Sequence, residues 1–250
     1  MDGFKAAFLN ELFKLQKKKK IVATAVLSLL VVLVGQLAVS IVTFGFGLRL
    51  AGSMEFPFVV LSLLSYTLLP FFAAFVAIDA FCGEFSSNTM KLTLTRPVSR
   101  FGVYSAKVGM VGVFILANLL FVMVLALVAG FLFNPASEGI LSIVKVLVAY
   151  LVTWLPIFVF ALLVVVLANV LRNGTAVFFL AVLLFFTFYF FSIVFSRYSG
   201  FFITSSFDWY TLWIADVINW GKILRQLFIL LGCGMMLFAA GYYLFERKDL

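Results

Sequence analysis

Six apolar runs, each long enough to cross a bilayer, set the terms for this chain. They lie at residues 21–44, 57–80, 108–133, 141–168, 175–195 and 223–245. A helix needs about 20 apolar residues to span the hydrocarbon core. Lipid offers no partners for backbone N–H and C=O groups, so each run must bond within itself, as a helix does. The strict alternation of a membrane barrel strand is absent. The expected fold is an all-α polytopic membrane protein. Composition agrees: 65% of the 250 residues are hydrophobic and 11% charged, too few charges to clothe a water-soluble surface.

Sidedness follows from the cations. Six spans put both termini on one side. That side carries 13 Lys and Arg, including Lys5, Lys14, Lys17 to Lys20, Lys91, Arg96, Arg100, Lys107, Arg172, Arg247 and Lys248; the other carries 5, namely Arg49, Lys145, Arg197, Lys222 and Arg225. The positive-inside rule places the richer side, and both termini, in the cytoplasm. No apolar core precedes a cleavage site near the N-terminus, so the expectation is no cleaved leader. The net charge of +8 then reports loops and anionic headgroups rather than nucleic acid. Cell-membrane residence is the expectation.

Residues 1–20 read as an amphipathic helix on the inner surface. Phe4, Phe8, Leu9, Leu12, Phe13 and Leu15 fall on one half of the wheel; Asn10, Glu11, Lys14, Lys17 and Lys18 fall on the other. Lys17, Lys18, Lys19 and Lys20 suit anionic headgroups. Residues 196–222 form an outer connector with Trp209, Trp213 and Trp220, residues that favour the membrane interface. Trp209 and Trp213 are four apart and share a helical face.

Enzyme chemistry is poorly provided for. There is no P-loop pattern, no nucleophile elbow and no histidine at all. Cys82 and Cys233 read as free buried thiols, and no metal set or cofactor is expected. Asn173-Gly174-Thr175 matches a glycosylation acceptor but reads as a tight cytoplasmic loop. Asp79, at the cytoplasmic end of the second span, is the one acid placed inside a span, which weakens an ion-coupled carrier. Pro156 is expected to kink the fourth span.

The polar chemistry collects in residues 81–107. Glu84 to Thr95 has no helix breaker, so 85–95 reads as a short surface helix. Pro97 ends it by restricting Arg96, and Ser99 caps the helix that runs through Lys107 into the third span. Gly83-Glu84, Asn88-Thr89, Leu92, Leu94, Thr95, Pro97, Val98, Ser99, Arg100 and Lys107 resemble the corresponding loop of ABC-2 type permeases. The end, Phe245-Glu246-Arg247-Lys248-Asp249-Leu250, is similar to that family's usual ending. Asn88 and Thr93 depart from the pattern, where Gly and a second Leu are common.

The resemblance covers the chain and implies a half-transporter of the type V exporter class. Two permeases would pair, as homo- or heterodimer, and bind cytoplasmic P-loop ATPase subunits that hold ATP and magnesium. Residues 1–20 would be the connecting helix. The coupling loop would use Glu84, Thr89, Arg96, Pro97, Ser99 and Arg100. The substrate, by similarity, would be hydrophobic or amphipathic, such as a peptide antibiotic. The competing readings are a non-transporting assembly or regulatory subunit of the same fold and an ion-coupled secondary carrier.

Overall fold

The computed structural model describes residues 2–46, 51–86, 99–134, 140–171, 173–195, 200 and 202–247. Every regular element among these is a helix. The elements are α1 (Asp2–Gln16), α2 (Lys19–Phe46), α3 (Phe56–Tyr66), α4 (Leu68–Ser86), α5 (Arg100–Phe133), α6 (Ile140–Leu171), α7 (Gly174–Val194), a 3₁₀ turn (Ile203–Ser206), α8 (Thr211–Ile214) and α9 (Trp220–Glu246). Five of these helices are long and apolar enough to cross a membrane, and α3 with α4 makes a sixth if the pair is one span.

That pair departs from the single helix expected over 57–80. The two helices are bent by 50° at Thr67. Pro70 explains the break. It has no N–H for the carbonyl of Tyr66, and its ring clashes with the preceding turn. The Thr67 hydroxyl closes the end of α3 by donating to the Leu63 carbonyl at 2.6 Å. Pro156, where a kink is expected, lies inside α6, which continues through it as one helix.

The central post is α6, which packs on α4, α5, α7 and α9. Its membrane stretch is 56% buried, against 11% for α9. Close contacts explain how α6 seats. Trp154 lies stacked on Phe158, and its indole N–H donates to the Gly112 carbonyl of α5 at 2.8 Å. A Cβ at Gly112 would meet Phe158 at 3.1 Å. The Tyr150 hydroxyl donates to the Pro57 carbonyl at 2.9 Å. The peripheral helices keep apolar residues outward. On α7, Phe179, Leu183, Phe186 and Phe190 are exposed at helical spacing, a stripe suited to lipid.

Candidate functional site

One end of the bundle gathers α1, the start of α2, the end of α4, the start of α5 and the end of α9. Charge concentrates there. Helix α1 packs on α5 through Phe8, Leu12 and Leu15, while Phe4, Leu9 and Phe13 stay exposed. The apolar half expected from the wheel is thus divided between protein and surroundings. Gly109 makes the approach possible: a Cβ there would sit 3.3 Å from the Phe8 ring.

Glu11, expected on the wet half of α1, is instead buried beside Leu15. The reason is Lys107. Its side chain is fully buried, and its Nζ donates to Glu11 Oε2 at 3.2 Å and to the Ala80 carbonyl at 3.1 Å. Lys14 meets the other Glu11 oxygen at 2.9 Å. Lys107, grouped with the loop cations in the sequence reading, therefore ties α1, α4 and α5 together from inside.

A second ionic junction lies at the elbow between α1 and α2. Asp79 of α4 takes Lys18 at 2.6 Å and Lys20 at 2.9 Å. Lys17 and Lys19 are exposed. Two of the four lysines read as headgroup contacts thus also hold the elbow against α4.

The described ends of the 81–107 region are helical rather than looped. Helix α4 continues to Ser86 and α5 begins at Arg100. Ser99 caps α5, its Oγ accepting the Gly102 N–H at 3.1 Å. Arg100 donates from Nη1 to the Glu246 carbonyl at 2.6 Å, at the last turn of α9, where orphan carbonyls favour a cation. Glu84 lies on the last turns of α4, with its side chain outside the described residues. Thr89, Arg96 and Pro97, and the short helix expected over 85–95, also lie outside them. Behind Arg100, Tyr104 is buried among Phe81, Phe238, Tyr242 and Phe245, and its hydroxyl donates to the Phe238 carbonyl at 3.2 Å. Neither Cys82 nor Cys233 is in a disulfide; Cys82 is buried, with its thiol donating to the Ala168 carbonyl at 3.7 Å, whereas Cys233, expected buried, is partly exposed. Asn173 caps α7, accepting from the Thr175 and Ala176 N–H groups.

The opposite end carries the aromatic connector. Trp209 and Trp213 stand edge to face at 5.6 Å, and Trp213 and Trp220 at 6.4 Å. Their depths differ. Trp209 is buried with Val159, Ile223 and Leu230, whereas Trp220 is exposed. Trp220 is thus open at this end of the bundle, while Trp209 is covered by protein. The tight turns from Ile203 to Tyr210 drive it inward together with Phe207.

Phe207 packs on Tyr66, Phe160 and Phe185. Asp208 accepts a hydrogen bond from the Tyr66 hydroxyl, and Tyr210 is hydrogen-bonded to Ser62. This Ser62–Tyr66–Asp208–Tyr210 group escaped the sequence reading, which weighed the connector only for its tryptophans. Burial pushes the Asp208 carboxyl above its usual range, and a backbone hydrogen bond and then the Tyr66 hydroxyl offset part of that. Burial likewise raises Tyr210.

Comparison with known proteins bears on the ionic end and on the spans up to α7. No curated protein matches the chain. Residues 7–192 match the model of the ABC-2 family transporter protein. That stretch holds α2 to α6, nearly all of α7, both ionic junctions and all but the first turn of α1. The match spans well over half of the 250 residues. The chain belongs to the ABC-2 transporter family, as a non-catalytic, multi-pass membrane permease that works with a separate ATPase.

Proposed function

We propose that this permease is half of an ATP-driven exporter and that the ionic end of the bundle faces the cytoplasm. An ATPase subunit docks on the connector between α4 and α5 and binds the ATP and magnesium. A second permease, identical or related, completes the membrane channel. The cargo is hydrophobic or amphipathic, with peptide antibiotics as the first class to try.

The observation that carries this reading is the way the connector's two anchors are tied. The Glu11–Lys107–Ala80 junction joins α1 to both anchoring helices, and Arg100 joins α5 to α9. A push on the connector cannot move α4 or α5 alone; it must carry α1 and the end of α9 with it. The bend at Thr67 gives the second span a place to flex while its inner part moves. Hinges of this kind absorb motion in a few residues.

The test is co-expression with the ATPase encoded nearest the gene. The expected result is a stable complex whose ATP turnover rises with a transported amphipathic peptide, while the permease alone hydrolyses nothing. A permease that purifies without any ATPase, and transports on an ion gradient, would overturn it.

A further inference from the structure

Two concavities flank the Lys20–Asp79 bridge on the outer flank of the bundle. The first is a slot of about 240 Å³ between α2 and α4, walled by Ile21, Ala23, Leu27, Phe72 and Val76. The second is a wider basin of about 700 Å³ between α4 and the start of α7, bordered by Cys82, Gly83, Asn173 and Thr175. Lys20, Phe75 and Asp79 line both. Chemistry changes sharply across that bridge: the slot is almost wholly apolar, and the basin mixes polar backbone and side chains with its apolar floor.

We propose that the two compartments together bind one phospholipid with an anionic headgroup. An acyl chain lies in the slot, and the phosphate sits over the basin beside Lys20. Three features choose this occupant. The slot opens toward the lipid side, where Val22, Val26, Leu27 and Phe75 are exposed. Its mouth is positive, because Lys18 and Lys20 both meet the single carboxylate of Asp79, and Lys17 and Lys19, next to them in the chain, are exposed. Lys20 keeps 64% of its side chain open despite its bridge, so it can share a phosphate with Asp79 still in place. The first turn of α7 contributes little to anion binding, since Asn173 already takes the N–H groups of Thr175 and Ala176. The site does not depend on the exporter reading, and its test needs no ATPase.

The experiment is native mass spectrometry of the detergent-purified chain with phosphatidylglycerol or phosphatidylcholine of matched acyl chains. One well-placed lysine near anionic lipid is worth about fivefold in affinity. Phosphatidylglycerol should be retained over phosphatidylcholine by at least that factor. Lys20→Ala should remove most of the preference. Ala23→Trp, at an exposed position that fills the slot, should lower retention of both lipids; it carries the test alone if Lys20→Ala does not fold. Lys19→Ala should change retention far less than Lys20→Ala. Equal losses at Lys19 and Lys20 with no effect of Ala23→Trp would leave only a diffuse charged surface and overturn the site. Displacement of the lipid by inorganic phosphate at matched concentration would overturn it too, by assigning the basin to a free anion.

Discussion

Removing a carboxylate and an ammonium from water costs several kcal/mol for each ion, and a buried pair recovers this only with good geometry and further hydrogen bonds. Glu11 and Lys107 meet both conditions: Lys107 adds the Ala80 carbonyl and Glu11 adds Lys14. Breaking one side should therefore be severe. Glu11→Gln is expected to destabilise the protein by about 3–5 kcal/mol, the usual loss when a buried charge is left unpaired. The double change Glu11→Leu with Lys107→Met should restore most of it, since no charge is then stranded. Thermal unfolding in detergent measures both; a Glu11→Gln variant as stable as the parent would refute the junction. Gly130 offers a steric counterpart. A Cβ there would collide with the Ser53 carbonyl, which is backbone and cannot rotate away. Gly130→Ala should cost about 1–3 kcal/mol, read in the same melts, whereas Gly232→Ala, with open space around it, should cost nothing and can gain from helix propensity. These details explain what the sequence withheld at this scale. A wheel shows that Glu11 is polar, but its partner lies 96 residues away, and no local pattern encodes that pairing.

Elements were more legible, because lipid forces helices wherever apolar runs are long. The ends of α2, α5, α6, α7 and α9 lie close to the apolar runs that announced them, with α5 beginning eight residues early at its Ser99 cap. The broken span was missed because hydropathy does not register a missing N–H; Pro70 carried the signal. The aromatic connector between α7 and α9 was legible only by its aromatic residues. Its docking rests on Phe207 and on Asp208, and Asp208 makes a pH prediction. Burial raises its folded pKa, so the ionised form is disfavoured in the docked state. The sign follows: docking is strongest below the ordinary Asp pKa and weakens as pH rises through the raised folded value. Lowering the pH from neutral toward that value should protect residues 202–214 of the detergent-purified protein against proteolysis. Asp208→Asn should remain protected at neutral pH and lose the dependence. A wild-type connector protected equally at both pH values would exclude this coupling.

At the scale of the whole molecule, sidedness and coupling are joined. If the ionic end is cytoplasmic, Lys19→Cys should be labelled only from that side, and Val217→Cys, 87% exposed at the other end, only from outside. The same geometry divides the roles of two charges that the sequence treated alike. Arg100 is engaged with the Glu246 carbonyl, so the proposed push would reach α9 through it. Glu84 lies on the last turns of α4, next to the connector. Losing one side of a desolvated charge pair at an interface costs about 2–5 kcal/mol, and a rim charge far less. Glu84→Ala should therefore weaken ATPase association. Arg100→Ala should leave association intact but cut the stimulation of ATP turnover by cargo, because α9 no longer follows α5. Glu138→Ala, in the connector at the far end, is the control and should do neither. Pull-down and ATPase assays on the same preparations separate the two effects. If Arg100→Ala releases the ATPase instead, the guanidinium is a docking residue, and the link through α9 is not how the push reaches the last span.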